Sequence, residues 1–151
     1  RVPYFSFVSV LHLYETLGLW RKADYLETHF AQTVNEYHHL LIMEDLGGDK
    51  RYADRFFAQH AAFFYYWLTC LIYVVSPCMA YNLSEQIEEH AYHTYDEFLK
   101  NHGTSLSLEK APVVASDYYG DVSSLHDVFT RIRDDEGEHV KEMQECQIDL
   151  A

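Results

Sequence analysis

Cysteine, proline and glycine are all scarce in these 151 residues, with 3, 3 and 6 copies. Cys70, Cys78 and Cys146 are an odd number without metal-ligand spacing, which argues against a disulfide framework or a zinc site and fits a reducing compartment. So few turn formers exclude collagen-like, disordered and turn-rich all-β chains and leave long helices. Basic residues are short as well. Eleven Lys and Arg against 24 Asp and Glu give a net charge of −13, and no basic cluster can follow a phosphate track, so nucleic acid is not an expected partner. Charge of either sign is missing from residues 56–84. Gln59, His60, Thr69, Ser76, Pro77 and Asn82 interrupt that run, and its strongly apolar part, 61–75, falls short of the roughly 20 residues that cross a bilayer. A helix buried in the protein, or one lying in a membrane interface, suits it better. The start, Arg-Val-Pro-Tyr, has neither initiator Met nor signal-peptide pattern and reads as part of a longer chain.

Aromatic residues are abundant instead, at 16%, with 13 Tyr, 9 Phe and 10 His beside them. One domain is expected at this length. Apolar periodicity and breakers predict helices over residues 4–20, 24–46 (closed by Gly47-Gly48), 52–75 (stopped by Ser76-Pro77), from a capping box at Asn82 and Glu85 to about 100, and 125–147. Residues 101–124 form the one long connection, with a short helix at 108–118. Together these elements predict an all-α, ferritin-like four-helix bundle with additional short helices.

The spacing that carries chemistry is Glu-x-x-His, which occurs at Glu36/His39 and at Glu136/His139, each pair on one face of a predicted helix. About one such pair is expected by chance from 13 Glu and 10 His, so the pairs alone do not distinguish a metal site from a solvated acidic face. Glu88 lies between them on a separate helix. A di-iron carboxylate bundle takes one Glu from each of two helices and Glu-x-x-His from each of the other two, because carboxylates offset the metal charge. One Glu is then still wanting, and Glu15 is the obvious donor on the first helix.

Several longer motifs are more specific: Asn-Glu-Tyr-His-His-Leu-Leu-Ile-Met-Glu-Asp-Leu-Gly-Gly (35–48), Ser-Pro-Cys-Met-Ala-Tyr (76–81), His-Ala-Tyr-His-Thr-Tyr-Asp-Glu-Phe (90–98) and Ile-Arg-Asp-Asp-Glu-Gly-Glu-His (132–139). Over nearly the whole chain these resemble the alternative oxidase family, and within it the plastid, plastoquinol-oxidising branch. The resemblance implies two iron ions held by Glu36, His39, Glu88, Glu136 and His139, and a quinol oxidase that reduces O₂ to water on one leaflet of a thylakoid or plastid membrane. A cyanobacterial or algal membrane is the alternative, because the segment between Tyr119 and Leu125 is shorter than in land-plant members. It also implies that the fourth carboxylate belongs to a Leu-Glu-Thr motif four residues ahead of Arg1. Glu15 sits roughly 27 Å further along the same helix, too far to replace it.

By the same resemblance Tyr95, seven residues after Glu88 and on its face, is the redox-active tyrosine, with the role of a core tyrosine as the bland alternative. Ile87, His90, Ala91 and Thr94 fall where the family binds quinol. Asn35 and Asp135 are neighbours placed to orient ligands or Tyr95. His12, His29 and His60 read as packing or interface groups. The aromatic bands at 4–20 and 63–73 fit either core or membrane surface. With a charge of −13 attachment has to be apolar, and the first helix and the helix at 85–100 are the expected contact surfaces. A homodimer is left open. The competing readings are another di-iron bundle, such as a hydroxylase or ferroxidase, and an inert helical fragment that interacts through its aromatic surface.

Overall fold

Where the chain stops being helical decides how it folds back. In a computed structural model describing residues 1–151, six helices follow one another: α1 (Val2–Thr16), α2 (Ala23–Asp45), α3 (Tyr52–Val75), α4 (Pro77–Leu108), α5 (Val113–Tyr119) and α6 (Leu125–Leu150). After α2, Gly47 takes φ 96° and donates its N–H to the Glu44 carbonyl, while Gly48 donates to Met43. A Cβ on Gly48 would lie 2.9 Å from the Met43 carbonyl oxygen, so this close turn needs glycine there as well.

The α3–α4 junction departs from the expected start at Asn82. Ser76 is extended (φ −159°, ψ 104°), which ends α3, and its hydroxyl accepts from the Met79 N–H, which starts α4. Pro77 follows as the first helical residue, where its fixed φ suits the helix and its missing N–H costs nothing. Asn82 is therefore inside α4, bonded to the side chains of Gln86 and Gln147. The far end of α4 also passes the expected stop near 100 and runs on to Leu108, because Leu106 is buried in the core there. The predicted connection 101–124 shrinks accordingly to short links around α5. Ser124 opens α6 with a capping box in which its hydroxyl accepts from the Asp127 N–H and the Asp127 carboxylate accepts in return.

The helices form an all-α bundle with the ferritin-like arrangement: α4 lies along α6, and α1 packs against α2 and α3. Its core has two halves. One is aromatic, built from Tyr4, Phe7, Tyr25, Tyr73 and Tyr81 with Val10, Leu11, Ala80, Met143 and Cys146. The other is aliphatic, with Phe129 its one buried aromatic ring among Ile42, Leu99, Leu106, Val128, Ile132 and neighbours. Because Tyr4, Phe7, Val10 and Leu11 are all buried, α1 is a core helix. Phe5 and Leu13 are the large apolar side chains that it leaves exposed.

Of the two expectations for the charge-free stretch, burial in the protein fails, because α3 is mostly exposed. Only Thr69 and Tyr73 are buried along its 24 residues, whereas Phe57, Phe63, Phe64, Trp67, Leu71 and Val75 are each at least 59% exposed. By length and composition α3 could cross a membrane. Here it lies along α1, fastened by Ser6 donating to the Tyr66 carbonyl and by Tyr66 donating to Ser9.

Removing the α6 cap gives a direct test of these boundaries. Ser124→Ala is expected to cost about 1 kcal/mol, lowering the melting temperature by roughly 2–4 °C with helix content retained by circular dichroism. An unchanged melting temperature would mean that α6 does not depend on this cap.

Candidate metal centre

Three helices bring the Glu-x-x-His pairs and Glu88 to one point. The three-residue spacing puts each Glu and its His on the same helix face. As a result Glu36 and His39 of α2, Glu88 of α4, and Glu136 and His139 of α6 converge in the bundle interior. One ligand atom from each of Glu36, Glu88, Glu136 and His139 lies within 4.8 Å of the others. His39 joins through Nδ1, 3.5 Å from Glu36 and 3.3 Å from Glu136. His139 Nδ1 lies 3.2 Å from Glu36, 3.9 Å from Glu136 and 4.0 Å from Glu88. Glu15, in contrast, pairs with Arg21 at the surface and takes no part.

These atoms are near one another but do not satisfy one another. Glu36 Oε1, His39 Nδ1 and His139 Nδ1 are buried and have no hydrogen-bond partner. Buried polar atoms without partners are rare and costly. Atoms aimed at a common point, not at each other, are what a shared cation would satisfy. The oxygen and imidazole donor set suits iron or another first-row ion with open positions.

The electrostatics agree. Burial pushes the Glu88 carboxyl up, and Glu136 and Glu36 beside it push further, to about 9. Burial alone would depress His39, but Asp135, Glu136 and Glu36 outweigh it and raise the imidazole to about 11. Glu36 is likewise penalised by burial, yet His139 and His39 hold it far below the usual carboxylate range. The crowded carboxylates thus favour added positive charge at this point.

Around the ligands runs a set of hydrogen bonds of which the sequence revealed only part. His39 Nε2 lies 3.0 Å from Asp135 Oδ2 and 3.1 Å from the Tyr119 hydroxyl, which donates to the same Asp135 oxygen. Asn35 Nδ2 donates to Asp135 and contacts the Tyr118 hydroxyl. Asp135 therefore bonds His39, Asn35 bonds Asp135, and neither makes a hydrogen bond to Tyr95. Tyr4 donates to Glu88 at 2.7 Å. Neither Tyr4 nor the Tyr118–Tyr119 pair was singled out from the sequence. Tyr4 sits in an aromatic band that fits either core or membrane surface, and the other two sit on α5, too short to show periodicity.

Tyr95 is half-buried and lines a cavity of about 520 Å³ together with Glu36 and His39. Burial, then Glu136, Glu36 and Glu88, raise its phenol above the ordinary value. Ile87, His90 and Thr94 lie on the exposed side of α4, and Ala91 is half-buried beside them. None of the four borders that cavity.

Comparison with known proteins settles the family. The alternative oxidase family model matches residues 1–147. The chain belongs to the alternative oxidase family. That family is a di-iron carboxylate family, and the Glu/His cluster of this member could bind metal. Among its relatives, ubiquinol oxidase 4, chloroplastic/chromoplastic, of Arabidopsis thaliana is 52% identical over 168 aligned positions, covering 97% of this chain and 48% of that protein. Ubiquinol oxidase 2, mitochondrial, of the same plant is 32% identical over 86% of this chain and 37% of that protein. The mitochondrial ubiquinol oxidase of Mangifera indica is 29% identical, again over 86% of this chain. This alternative oxidase chain spans about half the length of such relatives, or less.

Because Asp135 fixes which nitrogen of His39 faces the cluster, Asp135→Ala is expected to weaken metal binding about 10- to 100-fold. Competition against a chromophoric chelator measures this. Affinity equal to the parent's would show that His39 is held by its own packing.

Proposed function

We propose that this chain carries the centre of a plastoquinol oxidase: O₂ takes four electrons and four protons from two quinols and leaves as two waters. The observation that carries the reading is the convergence of Glu36, His39, Glu88, Glu136 and His139, with Glu36 Oε1, His39 Nδ1 and His139 Nδ1 buried and without a partner. Glu36, His39, Glu88, Glu136 and His139 would hold two iron ions, which supply O₂ binding and one-electron redox steps when bound. A fourth carboxylate would come from the Leu-Glu-Thr segment implied upstream of Arg1.

The remaining roles fall to this chain's own residues. Tyr95 shares a cavity with Glu36 and His39 and offers an electron and a proton close to where O₂ is reduced. That cavity admits a small molecule from outside. The quinol head would lie against α4 at Ile87, His90, Ala91 and Thr94, beside Glu88, where the imidazole of His90 can accept a hydroxyl proton. The names of the relatives, ubiquinol oxidases in chloroplast and mitochondrion, favour this over a ferroxidase or hydroxylase.

Membrane attachment would use α3. A quinol resides in lipid, and α3 offers a much wider exposed apolar face than α1, where Phe5 and Leu13 are the exposed large apolar residues. Lying along the bundle by one side, α3 would rest in one leaflet of a thylakoid or other plastid membrane without crossing it.

Two experiments test these roles. Iron-loaded protein, extended by the upstream segment, is expected to consume one O₂ per two quinols, an activity that Glu88→Ala abolishes. Tyr95→Phe should keep the iron and lose at least 10-fold in turnover, about 1.4 kcal/mol in barrier. Unchanged turnover would reduce Tyr95 to packing. For the membrane, binding to neutral lipid vesicles should resist high salt and fall sharply in Phe63→Ser/Phe64→Ser/Trp67→Ser. Release by salt alone, or unaltered binding of that variant, would contradict an apolar α3 contact.

A further inference from the structure

The aromatic half of the core holds more tyrosine than packing asks for. Tyr4, Tyr73 and Tyr81 are fully buried and Tyr25 nearly so. Phenylalanine would fill the same volume without a hydroxyl to satisfy, and the other half of this bundle is packed with aliphatic side chains. Each phenol here has an acceptor. Tyr4 donates to Glu88, Tyr25 to Asp149 at 2.5 Å, Tyr73 meets Tyr81 at 2.6 Å, and Tyr81 meets His29 Nε2 at 2.9 Å. His29 is set up to accept, because its Nδ1 faces the Gln32 carbonyl oxygen and burial drives its pKa down to about 4.

The rings also form a line. From His139 it is 5.3 Å to the Tyr4 ring, 6.4 Å on to His29, 5.3 Å from His29 to Tyr81, 6.0 Å from Tyr81 to Tyr25 and 6.1 Å from Tyr25 to Trp20. Phe7 bridges the same gap, 6.1 Å from Tyr4 and 5.1 Å from Tyr81. The line begins at a cluster ligand and ends at half-buried Trp20, next to half-buried Tyr14 at 6.2 Å.

We propose that this line is a one-electron relay through which an oxidising equivalent, left at the cluster when O₂ is reduced without quinol, escapes from Tyr4 to Trp20. The inference rests on the di-iron reading. In the first step Tyr4 gives an electron to the oxidised centre and its proton to Glu88. The tyrosyl radical takes both back as the next residue outward is oxidised. Tyr81 parks its proton on His29, and Tyr25 parks its own on Asp149. Last, Trp20 gives an electron to Tyr25 and is itself reduced by a one-electron donor in solution, of the thiol or ascorbate class. The ligands and Tyr95 are thereby spared oxidation.

Ferrous, quinol-free protein exposed to O₂ with a nitrone spin trap, then mapped by peptide mass spectrometry, tests this. Adducts are expected at Trp20, Tyr14 or Tyr25. In Trp20→Phe they should move inward to Tyr81, Tyr73 and Tyr4, and activity should be lost at least threefold faster per O₂ consumed. Tyr25→Phe should also move them inward, and serves if Trp20→Phe does not fold. Tyr52→Phe, at an exposed tyrosine outside the line, should change nothing. Adducts absent from the line in the parent, or a Trp20→Phe map equal to the Tyr52→Phe map, would overturn the relay. Iron content and O₂ uptake measured on the same sample separate the two readings: a protein that binds no iron loses both, whereas one that binds iron and consumes O₂ without marking the line loses the relay alone.

Discussion

Three carboxylates and two imidazoles are forced into one water-poor space, and most of the molecule answers that constraint. Like charges buried within a few ångströms cannot all stay ionised without a counter-charge. Metal ions supply it. The same crowding holds Glu88 and His39 above their ordinary pKa values. The bundle holds this arrangement because its ligands come from long helices, each locked by contacts far from the cluster: α4 along α6, and α1 across α2.

The surrounding polar groups follow from the same constraint. His39 can face the cluster with one nitrogen only if the other is occupied, and Asp135 with Tyr119 occupies it. Asp135 is then held by Asn35, whose residue neighbour is Glu36. Ligand and support alternate along the chain at 35–36 and 135–136, so adjacent residues on two helices carry both layers of the site. At the opposite side Tyr4 ties Glu88 to α1 and joins the centre to the aromatic core.

Much of this was legible in the sequence, and the exceptions have physical reasons. Glu-x-x-His spacing located four of the five clustered side chains because helical periodicity is local, and Glu88 followed from its place between them. The breakers at Gly47 and Ser76 were read correctly, but Ser76 also caps α4, so a stop signal and a start signal shared one residue. Gly103 misled in the other direction, because burial of Leu106 carries the helix past it. The aromatic bands at 4–20 and 63–73 had the same composition and opposite fates. Which of α1 and α3 is core depends on long-range packing, and neither helix's own residues encode it. Tyr4, Tyr118 and Tyr119 were missed for the same reason, since their partners lie 16 to 84 residues away.

The central claim is that the buried Glu/His cluster is built around metal. The most direct measurement is an anaerobic cobalt(II) titration of the metal-free protein, followed by visible ligand-field absorption. Saturable binding with oxygen and nitrogen donors is predicted, with the bands abolished in Glu36→Ala while the helical circular dichroism persists. Absence of saturable binding, or bands that survive loss of Glu36, would contradict the account.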